Sequence, residues 1–190
     1  MNPSLLAISG STRKGSWNSR LLAVAAEAAR QAGARVEVVD LLADPLPLFS
    51  EDLESAGIPP AVSALKQRAI ACDGYLFASP EYNGSLSPLM KNTIDWLSRK
   101  HGQEAHMAAY KGKVAAVMAA SPGALGGLRA LPHLRYILEG IGTLVIPETL
   151  ALGKAHEAFN EAGQLKDPAQ LAQATLLGQR LVEVIRKLRG

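Results

Sequence analysis

The chain has one cysteine, Cys72, in 190 residues. A single thiol forms no intrachain disulfide, and no CxxC pair exists to build a cysteine-based zinc site. Cys72 stands at the end of an apparent helix and reads as a structural thiol, which fits a cytoplasmic setting. Aromatic residues make up only 5% of the chain, and Lys and Arg are scattered apart from a few in the C-terminal "RKLRG". The basic stripe with stacking residues that nucleic-acid binding needs is therefore missing. No apolar run approaches the ~18 residues of a membrane span. The opening "MNPSLLAISG" lacks a basic leader and its apolar run breaks at Gly10, so it reads as a first strand and not as a signal peptide. His101, His106, His133 and His156 show neither metal-ligand spacing nor a paired carboxylate pattern, so a surface or structural role is expected of them, and no metal site.

The composition is that of a globular protein, 48% hydrophobic and 19% charged with a net charge of +3. A mildly basic surface suits a small polyanionic substrate and is also common background. The length predicts one domain, residues 1–190. Strands are expected at 5–9, 36–39, 74–78, 114–120 and 144–146. Helices are expected at 19–32, 61–71, 88–99, 126–141 and 169–188. The stretch "LLADPLPLFSEDLESAGIPP" carries prolines that break a helix and reads as a long loop. "GYLFA" and "VAAVMAA" are continuously apolar, as strands buried on both faces are. The alternation predicts an α/β fold, a doubly wound parallel sheet with helices on both faces.

Ligands of such a sheet bind beyond the carboxyl ends of its strands, where the strand order switches. The loops leaving strands one, three and four are "GSTRKGSWN", "SPEYNGSLSP" and "SPGALGG", the chain's richest in glycine and polar groups. In the first, Thr12 stands where a dinucleotide fingerprint needs glycine, and Ser16-Trp17 where a triphosphate loop needs Lys and Ser/Thr. What remains is a set of donors at a helix N-terminus: backbone amides, the hydroxyls of Ser11, Thr12 and Ser16, the Asn18 amide and the Arg13 guanidinium. That is enough for one dianionic phosphate; an ordinary helix cap with solvated neighbours uses the same residues. In the second loop Asn83-Gly84 favours a turn with positive φ, and Tyr82 offers a flat face with a polar tip. The three glycines of the third loop allow close approach to a ligand, though glycine-rich loops are common.

"GSTRKGSWN", "LPLFSEDLE" and "PEYNGSLSPLMKNTIDWLSR" together resemble the NADPH-dependent FMN reductase family, the flavodoxin-like proteins that include quinone, chromate and azo-dye reductases. "AFNEAGQLKDP" resembles that family's turn before its last helix. The resemblance implies a flavodoxin-like five-stranded sheet in the order 2-1-3-4-5 and non-covalent FMN. It places Ser11, Arg13, Ser16, Trp17 and Asn18 around the FMN phosphate. Pro80, Glu81, Tyr82, Asn83 and Ser85 would line the ribityl chain and the edge of the isoalloxazine, and Ser121 and Gly123 would lie near the ring. It further implies a hydride passed from NADPH or NADH to the flavin and then reduction of a small-molecule acceptor, a quinone, azo compound, metal oxyanion or free flavin. The hydride step needs no protein acid or base, so no catalytic residue is expected. A homodimer or homotetramer is implied, with the loop at 48–53 and the helix bearing Trp96 as contact regions. Two other readings stand beside this one: a flavodoxin-type electron carrier, which would tend to be acidic, and a non-enzymatic flavodoxin-like binding protein.

Overall fold

The computed structural model describes residues 2–190. The chain opens with β1 (Ser4–Ser9), α1 (Trp17–Gln31), β2 (Arg35–Val39), α2 (Glu51–Ala56), α3 (Pro60–Ala71) and β3 (Gly74–Ala78). It continues with β4 (Glu81–Tyr82), β5 (Ser85–Leu86), α4 (Pro88–Ser98) and β6 (Val114–Ala120). It closes with α5 (Ala130–Gly140), β7 (Leu144–Leu152), α6 (Ala155–Ala158) and α7 (Pro168–Arg189).

Five strands pair in parallel in the order β2-β1-β3-β6-β7. With the β4–β5 hairpin set aside, this is the expected order 2-1-3-4-5. The period-2 alternation of β1 divides the core. Leu5 and Ala7 meet α1 and α7 on one face, while Leu6 and Ile8 meet α3, α4 and α5 on the other. β3 and β6 are buried along their whole length, which is why their sequences carry no charged residue and the Tyr75 hydroxyl is hydrogen-bonded to the Ala69 carbonyl. Cys72 is buried at the end of α3, and burial pushes its thiol pKa up.

Several elements depart from the sequence reading, the short α6 among them. The expected long loop contains α2, because 51–56 lies between Pro47 and Pro59 and holds no proline itself. The Ser50 hydroxyl caps it by accepting from Leu53 N–H at 3.4 Å. β7 runs past Pro147 to Leu152. It is an edge strand whose pairing with β6 shifts register between Ala115 and Val117, so the missing N–H of proline is tolerated. α5 begins at Ala130, after turns that carry Gly126 and Gly127 at positive φ. The second loop is folded as the β4–β5 hairpin, with Asn83 and Gly84 at φ 52° and 79° in its two-residue turn.

The proline-rich strap after β2 is fastened to α4. Phe49 N–H donates to Asn92 Oδ1 at 2.7 Å, and Asn92 Nδ2 donates to the Pro47 carbonyl at 2.9 Å. The Trp96 indole N–H reaches that same carbonyl at 2.7 Å, and its ring meets Phe49 edge-on at 4.9 Å. Trp96 is fully buried, so it holds the strap from within; Leu48, 81% exposed, is what the strap shows to solvent.

α1 and α7 cross at Gly178. A Cβ there would overlap the Ala25 carbonyl oxygen and stand 2.8 Å from Ala29 N. Alanine is the better helix former by about 1 kcal/mol, yet here the contact is with backbone that cannot yield. Gly178→Ala should therefore lower stability by about 1–3 kcal/mol, read as a fall in the urea midpoint. A rise in stability would show that the two helices do not cross this closely.

Candidate functional site

β1 and β3 are neighbours, but the chain leaves β1 for α1 on one face and β3 for α4 on the other. A crevice opens where they part. At its base the Ser87 hydroxyl, N-cap of α4, donates to the Gly10 carbonyl at 2.7 Å and accepts from Met90 N–H at 3.2 Å. A Cβ on Gly10 would lie 2.6 Å from Ser87 Oγ and 3.0 Å from Met90 Cβ, so the first loop can leave the sheet only through glycine.

That loop is braced by its own polar groups. Ser16 caps α1 by accepting from Ser19 N–H at 3.4 Å, and Ser11 Oγ accepts from Arg13 N–H at 3.3 Å. Arg13 donates to the Lys14 and Gly15 carbonyls at 3.3 and 3.2 Å. Its guanidinium lies 4.6 Å from the centre of the Trp17 ring. Among the described residues, the backbone N–H groups of Thr12, Lys14, Gly15, Trp17 and Asn18 have no protein acceptor. Unpaired amides at the positive end of a 15-residue helix form an anion cradle.

Asn18 also ties two loops together through its side chain. It is buried, and its side chain closes a two-bond ring with Ala120 at the end of β6. Nδ2 donates to the Ala120 carbonyl at 2.8 Å and Oδ1 accepts from Ala120 N–H at 2.9 Å. The first loop is thereby fixed to the third. Glu81 is likewise committed, accepting from Arg129 N–H at 2.9 Å and from Arg129 Nε at 2.6 Å, with a further ion pair to the same guanidinium. Burial alone would raise its carboxyl pKa; the Arg129 guanidinium and backbone N–H outweigh that and hold it below the ordinary range. His133 Nδ1 lies 3.0 Å from Ser85 Oγ. Arg129 and His133 thus pin the hairpin from the third loop and α5, a role that no sequence signal marked.

Ser11, Arg13, Ser16, Trp17 and Asn18 meet Pro80, Glu81, Tyr82 and Ser121 around one cleft of about 140 Å³, with Ala120 and Pro122 completing it. Asn83 lies at the exposed hairpin turn and Gly123 on the exposed third loop, outside that cleft. Ser85 lines the neighbouring apolar cleft with His133 and Tyr136. Two of the third loop's glycines serve the chain's own packing. A Cβ on Gly126 would strike the backbone of Leu152 and Gly153, and one on Gly127 would lie 2.6 Å from Ala119 Cβ. A larger cleft, about 890 Å³, lies between α1 and the segment leading into α7, apart from all three loops. Volume alone therefore does not mark the site.

A parallel sheet in this order, with an anion cradle at its switch point, defines the flavodoxin-like class. The family model for NADPH-dependent FMN reductases matches residues 3–157. An NAD(P)H-dependent FMN reductase of Pseudomonas aeruginosa is 39% identical over 190 residues, covering 98% of this chain and 97% of that one. A quinone reductase of Escherichia coli is 32% identical over 177 residues, covering 90% and 89%. Among solved structures, the flavoenzyme NAD(P)H:(acceptor) oxidoreductase FerB of Paracoccus denitrificans superposes with a TM-score of 0.82 at 32% identity, covering 97% of this chain and 98% of that one. The chain belongs to the NADPH-dependent FMN reductase family, and with it to the flavin-dependent NAD(P)H oxidoreductases.

Two outcomes follow from the side chains that shape the cleft. Asn18→Ala leaves the Ala120 N–H and carbonyl buried without partners and should cost at least about 2 kcal/mol, measured by chemical denaturation. Glu81→Gln removes a carboxylate with a lowered pKa, whose contribution is full above the ordinary carboxylate range and lost as pH falls through the lowered value. The melting temperature of the native protein should exceed that of Glu81→Gln at neutral pH and converge with it in acid. A constant gap would mean that the charge of Glu81 is not what holds Arg129.

Proposed function

We propose that residues 1–190 act as a single FMN-binding domain whose three-loop cleft holds the cofactor non-covalently at its phosphate end. The observation that carries this reading is the row of unpartnered amides at the start of α1 beside Arg13. Ligand pockets usually measure ~300–1,000 Å³, so a cleft of about 140 Å³ suits one phosphate. Tyr82, Asn83, Ser85, Ser121 and Gly123 would then hold the rest of the cofactor.

Bound there, FMN would supply the redox chemistry, hydride transfer from NADPH or NADH and onward reduction of a quinone, azo compound, metal oxyanion or free flavin. The chain's own part is binding and orientation. The amides of 12–18 and the uncommitted N–H groups of Arg13 meet the phosphate. Tyr82 supplies an apolar face, and the positive-φ turn at Asn83-Gly84 turns backbone toward the polar edge of a flat heterocycle. The side chains of Asn18, Glu81 and Ser87 hold the loops in register. No side chain is assigned a catalytic proton transfer. A homodimer or homotetramer in the cytoplasm completes the proposal, with exposed Leu48 and Tyr136 as candidate contact residues.

Purified protein should carry or retain FMN, visible in its absorption spectrum, and NADPH should bleach it anaerobically. Arg13→Ala should weaken FMN ten- to hundredfold, at about 1.5–3 kcal/mol for a charge-assisted hydrogen bond, as read by flavin fluorescence titration. Arg13→Lys keeps the charge but loses the fork and should fall between the two. Native affinity in Arg13→Ala would place the phosphate elsewhere.

A further inference from the structure

A second crevice, about 320 Å³, opens on the far side of the first loop, between that loop, α1 and the end of β2. Ser11 and Arg13 line both it and the phosphate cleft, so a ligand in one stands beside a ligand in the other. Its volume lies within the usual range for small-molecule sites.

The lining divides by chemistry. Leu22 and Ala23 of α1, with Val38, Leu41 and Leu42, make an apolar wall. Val38 and Leu42 are 54% and 68% exposed, an uncovered apolar strip at the mouth. Thr12, Lys14 and Asp40 supply polar groups, beside the Ser9 and Ser19 hydroxyls. Among the described residues, the Lys14 ammonium makes neither an ion pair nor a hydrogen bond within the protein. Asp40 commits only Oδ1, to Leu42 N–H at 2.9 Å and Ala43 N–H at 3.1 Å, and keeps Oδ2 free. An apolar wall for a flat ring, a carboxylate oxygen for a sugar hydroxyl and an unpaired cation for a phosphate form one set. They match an adenosine 2′-phosphate.

We infer that this crevice takes the adenosine end of the nicotinamide donor, with Lys14 reading the 2′-phosphate that distinguishes NADPH from NADH. The inference rests on the proposed function, because the other end of the same donor must reach the flavin. Asp40 accepts from a ribose hydroxyl that both donors share, so NADH is admitted as well. Lys14 adds the preference. It is a specificity-determining residue and takes no part in the hydride step.

The test compares KM for NADPH and for NADH on enzyme supplied with excess FMN. Lys14→Glu should raise KM for NADPH roughly tenfold and leave that for NADH within about twofold, the scale of one charge-assisted hydrogen bond. Because both donors meet the same flavin-loaded enzyme, the ratio is insensitive to any change in FMN occupancy. Ala23→Trp, at an exposed position of α1, should fill the crevice and raise KM for both donors. Calorimetry with adenosine 2′,5′-bisphosphate provides a readout independent of turnover: it should bind native protein and bind either variant at least tenfold more weakly. An unchanged NADPH-to-NADH ratio in Lys14→Glu, or no binding of the bisphosphate to native protein, would overturn the assignment. If neither donor is turned over with excess FMN, the proposed function fails, while the calorimetry still decides the crevice.

Discussion

A hydroxyl and a residue without a side chain share the point where β1 and β3 part. The rest of the site depends on that contact. Ser87 Oγ donates to the Gly10 carbonyl while capping α4, so one atom fixes the start of α4 to the end of β1. Any Cβ on Gly10 would enter that space and push α4 away. Since α1 and α4 cover opposite faces of the sheet, the distance between their N-termini sets the width of the crevice. The anion cradle at the start of α1 and the hairpin before α4 can then face one another only at the spacing this contact allows.

A second layer of polar side chains turns three loops into one surface. Asn18 binds the peptide of Ala120, Glu81 binds Arg129, and His133 meets Ser85. Each is a long-range tie between segments that the sheet brings only roughly together. For the buried Asn18 and for the Glu81 carboxylate, 7% exposed, an unpaired state would be costly. Pairing of the tying side chains with one another or with backbone leaves few side chains to spend on a ligand. Recognition then falls to the main chain, whose amides at 12–18 are held in place before any ligand arrives. Preorganised donors need no reordering on binding, which is the condition under which a single phosphate is held well.

The parts of this architecture that were legible in the sequence are those fixed by local chemistry. The two central strands, 74–78 and 114–120, are buried on both faces and read without error, because continuous apolar runs have one explanation at that length. Asn83-Gly84 announced its positive-φ turn. Yet the hairpin around it was not read, since two-residue strands leave no periodicity to detect. Pro147 misled in the other direction: proline excludes a central strand, and only the sheet order reveals that β7 is an edge. The six residues of α2 are too few for a hydrophobic period, and the surrounding prolines hid the Ser50 cap.

The three loops stood out in the sequence; the partners of their side chains did not. Glycine, hydroxyl and cation content picks out the three loops, because anion binding and tight turns draw on the same residue types. Nothing local says whether an asparagine or glutamate in such a loop faces a ligand or a neighbouring loop. Asn18 and Glu81 stand among the residues expected to touch cofactor; both line the three-loop cleft, and their side chains also tie one loop to another. Their partners, Ala120 and Arg129, lie 102 and 48 residues away, a separation at which sequence carries no geometric information. Arg13 is the exception. Its bonds to Lys14 and Gly15 lie within its own turn, and its remaining donors have no partner among the described residues. Of the side chains lining the three-loop cleft it has the strongest claim to act on the proposed ligand directly, because among the described residues no other loop neutralises its charge.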